Sequence, residues 1–169
     1  KNKKDSINLL NNYIVFLENE KGTSELGLKL SEKLTAGLLL FLKGDLGAGK
    51  TCLVRSILMS LGFEGKVKSP SYSLFEQYII DGKTINHFDL YRFKSPEEWL
   101  AAGFNDHINR RDITIIEWPE KAQNILCEPD IEIEIDSLSI SSICLLKRAC
   151  FKFKMISVTS STTPAIAEN

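Results

Sequence analysis

Hydrophobic and polar positions along this chain follow two periods, and the changes between them mark out its elements. "YIVFL" (13–17) reads as a short strand. Leu26, Leu30 and Leu34 then recur at four-residue spacing, which predicts a helix with Asn19 placed to cap its start. "GLLLFLK" (37–43) is too uniformly apolar for a strand with one wet face, so it is expected at the centre of a parallel sheet. A second helix is expected from about Lys50 to Leu61, closed by Gly62. The runs "SLFEQYII" and "KTINHFDL" flank Asp81-Gly82, the dipeptide of a two-residue primed turn, and predict a hairpin. In "SPEEWLAAGF", Ser95 caps a helix, Pro96 takes its first turn and Glu98 completes a capping box. "DITIIEW" (112–118) is expected as a buried strand, and "DIEIEID" (130–136) alternates like a sheet member with one face out. Strands alternating with helices, plus one hairpin, define an α/β sheet with an antiparallel part.

Beyond Asp136 the pattern weakens. "SLSISSICLLKRACFKFKMISVTS" allows two further strands. The expected organisation is a polar lead-in over 1–12, one domain over 13–157 and a disordered tail over 158–169.

Composition adds mainly exclusions. With 21 Lys and Arg against 22 Asp and Glu, the formal charge is −1, so no global basic field draws the chain to nucleic acid or membrane. A local patch remains at "KRACFKFK", with Lys147, Arg148, Lys152 and Lys154; nucleic-acid contact there competes with a solvated edge strand. The longest apolar run, "LLLFL", is far short of a membrane span. Cys52, Cys127, Cys144 and Cys150 form no C-x-x-C pair and read as reduced thiols, which fits a cytoplasmic protein. His87 and His107 are isolated, and neither is expected to bind metal.

One stretch carries chemistry. "GDLGAGKT" (44–51) fits G-x-x-x-x-G-K-[ST] with Gly44, Gly49, Lys50 and Thr51, and Gly47 adds a third glycine. Glycines let successive backbone N–H groups converge on phosphate oxygens with no Cβ in the way. The helix that begins there aims its positive end at the same anions. Lys50 can reach the β and γ phosphates, and the Thr51 hydroxyl can ligate Mg²⁺. From the strand before it and the helix after it, the segment from Asp45, Leu46, Gly47, Ala48 and Gly49 through Lys50, Thr51 and Cys52 is expected to hold a nucleoside triphosphate. The fold class is then a P-loop NTPase-like mixed sheet, mostly parallel with an antiparallel hairpin, flanked by helices.

Such a site needs an acid at a neighbouring strand end. Glu117 ends the apolar "ITIIE" and is preferred on the metal side; Asp89 ends the more polar "TINHFD" and is placed in a loop that senses or polarises the site. No N-K-x-D or D-x-x-G motif of a GTPase is present, which favours ATP. Arg92 or the Arg110-Arg111 pair can stabilise transition-state charge, although surface solvation is the commoner fate of such residues. A finger supplied by a partner is worth about 10³- to 10⁵-fold.

Taken together, "GDLGAGKT", "VKSPSYSLFEQY", "HFDLYR", "SPEEW…GF" and "IIEWPEKA" closely resemble the TsaE (YjeE) family of small bacterial P-loop ATPases, over roughly residues 13–136. The resemblance implies an ATPase, weak alone, that acts with TsaD and TsaB in making the threonylcarbamoyladenosine modification of tRNAs reading codons that start with A. It implies hydrolysis that drives or resets that complex, with tRNA held by the partners. By position it gives Thr51 and Glu117 to Mg²⁺, residues 44–51 to the phosphates, and Asp89 with "SPSYS" (69–73) to switch-like segments near the γ-phosphate; Lys50, Asp89 and Glu117 are the expected catalytic residues. Trp118 touches the site or a partner, or else packs in the core. Ser71, Ser73 and Cys52 stand where the family usually has threonine. A stand-alone small-molecule or nucleotide kinase, and a nucleotide sensor without turnover, are the alternatives.

Overall fold

The computed structural model describes residues 13–17, 20–137 and 151–158. The lead-in over 1–12, the Asn19 cap, Cys144, Lys147, Arg148, Cys150 and the tail from 159 onward lie outside the described residues. The strands are β1 (Tyr13–Leu17), β2 (Leu39–Lys43), β3 (Phe75–Ile80), β4 (Lys83–Asp89), β5 (Ile113–Glu117), β6 (Ile131–Ser137) and β7 (Phe151–Val158). The helices are α1 (Glu20–Ser31), α2 (Lys50–Ser60) and the short α3 (Glu97–Ala101), with 3₁₀ turns at Phe104–His107 and Pro119–Ala122.

All seven strands form one sheet in the order β1-β7-β6-β2-β5-β4-β3. β2 pairs in parallel with both β5 and β6, and β4 pairs in parallel with β5. β3 and β7 run the other way, β3 against β4 and β7 between β6 and β1. The central, parallel place expected of "GLLLFLK" is therefore the observed one. Its reason is visible in the packing. Leu40 and Leu42 enter the core under α1 and α2 with Leu53, Ile57 and Ile115. Leu39 and Phe41 enter the opposite core with Phe88, Trp99 and Ile116. A strand covered on both faces has no position left for a polar residue.

Helix α1 lies against α2 closely enough that a Cβ on Gly27 would stand 2.5 Å from Cβ of Ser56. The Asp81-Gly82 turn has the expected positive φ at both residues, 48° and 72°.

Two expectations are corrected. β7 holds Lys152 and Lys154 but is flanked on both sides, so the solvated edge strand foreseen at "KRACFKFK" is not found; β1 takes that edge. The capping box at α3 is half formed. Glu98 Oε1 accepts from the Ser95 N–H at 3.0 Å, but no side chain caps the helix start. The Ser95 hydroxyl instead bonds the Glu97 carboxylate and lowers its pKa.

Candidate nucleotide site

The loop between β2 and α2 is built for close approach. A Cβ on Gly44, where φ is 131°, would stand 2.1 Å from the Ile135 carbonyl oxygen, so only glycine lets the loop leave the sheet beside β6. Gly47 and Gly49 have φ of 79° and 103°, and a Cβ on either would meet nothing within 4 Å. These two face open space and leave the backbone bare toward it. Gly49 caps α2 with its backbone alone, so the first N–H groups of that helix carry no side-chain partner from the cap.

Parallel register sets the acids. Asp89 and Glu117 are direct partners at the carboxyl ends of β4 and β5, and Leu42 on β2 is the partner of Glu117 on its other side. Asp89 is thus the last residue of β4, only 4% exposed, and not a loop residue as expected from its polar surroundings. The alternation of "TINHFD" came from the β3–β4 hairpin, whose register still places both strand ends at one edge. Thr51 Oγ1 lies 2.9 and 3.1 Å from the two carboxylate oxygens of Glu117. The Ser69 hydroxyl donates to Asp89 Oδ2, and Asp89 Oδ1 accepts from the Tyr91 N–H at 3.0 Å. Asp89 therefore ties the 69–73 segment to the sheet.

Lys50 Nζ donates to the carbonyls of Gly44 and Asp45 at 2.6 and 2.8 Å and sits 3.9 Å from the centre of the Trp118 ring. Burial pushes its pKa below the usual lysine value, against the pull of Glu117, Glu120, Asp89 and Asp45. Trp118 reaches this place through a left-handed backbone (φ 59°, ψ 48°), a conformation that costs a non-glycine residue about 1–2 kcal/mol. Its ring belongs to the site and also packs on the β2–β5 core.

An open cleft of about 520 Å³ joins these groups. Of the expected phosphate loop, Leu46, Gly47, Gly49, Lys50, Thr51 and Cys52 line it. Asp45 contributes a carbonyl to Lys50, while Ala48 is buried in the core and does not line the cleft. Across the cleft stand Ser69, Ser71 and Arg92, whose guanidinium lies 4.1 Å from the centre of the exposed Tyr72 ring. Arg110 and Arg111 are exposed and do not line the cleft.

His87 was missed. It is fully buried, and its Nε2 lies 2.9 Å from Glu117 Oε1. The signal was its place two residues before Asp89 in a strand, which puts both on one face.

The donor set fits a hydrated cation shared with phosphates. A hydroxyl and a carboxylate meet beside bare loop amides, a hard-oxygen pair suited to Mg²⁺. Among the described residues no three His, Cys, Asp or Glu side chains converge to hold a metal unaided. Nor is any helix among them long and apolar enough to cross a membrane.

Strand, glycine loop, helix and strand-end carboxylates on a parallel sheet define a P-loop-like α/β protein, a class suited to binding nucleotides. Residues 17–143 match the family model described as "Threonylcarbamoyl adenosine biosynthesis protein TsaE". A protein from Haemophilus influenzae named "tRNA threonylcarbamoyladenosine biosynthesis protein TsaE" is 50% identical over 117 residues, covering 69% of this chain and 72% of that one. A protein of the same name from Rickettsia felis is 37% identical over 126 residues, covering 74% and 73%. The crystal structure of Bacillus subtilis YdiB superposes with a TM-score of 0.66 over 86% of each chain at 20% identity, a likeness of fold. The chain belongs to the TsaE family.

Proposed function

We propose that this protein is a Mg²⁺-dependent ATPase of tRNA threonylcarbamoyladenosine formation, hydrolysing ATP to drive or reset a complex of TsaD and TsaB in the cytoplasm. The observation that carries the reading is the meeting of Thr51 and Glu117 beside the 44–51 loop, with Asp89 in register next to them. The names of the relatives supply the pathway.

In this reading the loop amides and the Lys50 ammonium bind and orient the phosphates, exchanging the Gly44 and Asp45 carbonyls for phosphate oxygens. Thr51 and Glu117 would hold the cation, which would supply neutralisation of charge on the transferred phosphate. Asp89 orders the 69–73 segment over the cleft through Ser69, while the Tyr91 N–H holds its other oxygen. Arg92 rests on Tyr72, so charge stabilisation by an arginine is expected to need a partner-induced rearrangement or a partner's own residue.

The test is ATP hydrolysis with and without TsaD and TsaB, on the unaltered chain and on Lys50→Ala. The expected result is slow turnover alone, strong stimulation by the pair, and a loss of at least about 10²-fold for the variant. Phosphorylation of an acceptor with no partner present would make it a kinase instead.

A further inference from the structure

We infer that His87 is the positioning residue for Glu117, and that its Nε2–H sets how strongly the site takes a divalent cation beside the nucleotide. The inference rests on the Mg²⁺–nucleotide reading of the cleft and adds a residue to it.

Glu117 is 2% exposed and closes β5 between β2 and β4. A buried carboxylate is held in place by the hydrogen-bond donors that meet it. Thr51 has one hydroxyl hydrogen, although its oxygen lies within reach of both carboxylate oxygens. The second donor is His87. At 2.9 Å from Glu117 Oε1, its Nε2 must carry the hydrogen, because a bare ring nitrogen would face an acceptor.

Geometry makes this donor rigid. His87 lies on β4 opposite Ile115, so it reaches Glu117 diagonally across the parallel pair from the same face as Asp89. Its ring is 0% exposed, with the Tyr78 ring 6.5 Å away on one side. Thr51, by contrast, sits at the start of α2 and half exposed, where a cation's approach can turn its hydroxyl. The imidazole is the fixed end of the triad.

The ring's other nitrogen argues for a use beyond packing. His87 Nδ1 is buried with no hydrogen-bond partner among the described residues. An apolar side chain of similar size would fill the space without orphaning a polar atom. What histidine alone adds here is the bond to Glu117. Metal-site partners of this kind commonly change metal affinity about 10- to 100-fold when removed.

The experiment measures ADP and ATP affinity by calorimetry in EDTA and again across a Mg²⁺ titration, for the unaltered chain, His87→Leu and His87→Gln. Glutamine can present an N–H near the position of Nε2; leucine cannot. His87→Leu is expected to keep the EDTA affinity within about twofold while the Mg²⁺ midpoint rises about 10- to 100-fold, and His87→Gln is expected to recover most of it. An unchanged Mg²⁺ midpoint in His87→Leu, or equal loss in both variants, overturns the inference. Absence of any Mg²⁺ effect in the unaltered chain overturns the underlying nucleotide reading instead. Nitrogen-15 spectra of the histidines in the unaltered chain give a check that needs no variant to fold. An Nε2–H tautomer whose signal moves when Mg²⁺ joins the nucleotide complex is expected; an Nδ1–H tautomer, or a signal indifferent to Mg²⁺, contradicts the inference.

Discussion

Thr51 and Glu117 stand 66 residues apart in sequence, yet the threonine hydroxyl is within 2.9 and 3.1 Å of both glutamate oxygens. One belongs to the first turn of α2 and the other to the end of β5, so the contact exists only because β2 and β5 are parallel neighbours. Asp89 is beside them, but its oxygens are already engaged by Ser69 and the Tyr91 N–H. The two acids therefore have separable tasks. Glu117→Ala should lower Mg²⁺-dependent turnover more than Asp89→Ala, and Ser69→Ala should reproduce part of the Asp89 effect. Turnover against Mg²⁺ concentration for the three variants checks this; elimination of Mg²⁺-dependent binding by Asp89→Ala alone would reverse the assignment.

Burial lowers the Lys50 pKa from its ordinary 10.5. Phosphate binding favours the ammonium and so raises the pKa again. Nucleotide affinity should be full below the lowered value and fall as pH rises through it, starting short of 10.5. The stability contribution runs oppositely. The folded chain binds fewer protons than the unfolded one in that window, so the cost of burying the charge fades as pH climbs toward 10.5. Affinity and unfolding midpoint measured together up to the ordinary lysine value of about 10.5 test both signs; affinity that begins to fall only above that value would count against the assignment.

The Lys50 ammonium lies 3.9 Å from the Trp118 ring centre, and Trp99 is fully buried elsewhere with its Nε1–H on Asn105. Drawing Lys50 toward phosphate should alter Trp118 emission and leave Trp99 unaffected. Nucleotide titrations followed by fluorescence should show a change in the unaltered chain that disappears in Trp118→Phe.

Two glycines of the loop should separate folding from binding. Gly47→Ala places a Cβ in open space and should cost only the left-handed strain, about 1–2 kcal/mol. Gly44→Ala drives a Cβ into the Ile135 carbonyl and should cost clearly more, because backbone of β6 must move. Urea unfolding of both variants distinguishes them; equal midpoints would mean the loop relaxes freely away from β6.

Local pattern made the central elements legible. β2 shows its burial on both faces in "LLLFL", and the β3–β4 turn is written in Asp81-Gly82. The glycine loop between β2 and α2 is equally plain, since its glycines, lysine and threonine are contiguous. What escaped depends on distant pairing. Nothing near Asp89 says that β4 lies beside β5 in the register that sets it against Glu117, so the local pattern points to a loop where the strand in fact ends. His87 looked isolated for the same reason, because its partner is 30 residues away. Likewise "KRACFKFK" gives no sign that β1 covers β7.

The most direct measurement is a calorimetric titration of the chain and of Lys50→Ala with ATP and ADP at millimolar Mg²⁺. The account predicts a saturable heat with one nucleotide per chain for the unaltered protein and a loss of most of the affinity in the variant. No heat of association with either nucleotide, or equal binding by Lys50→Ala, would contradict it.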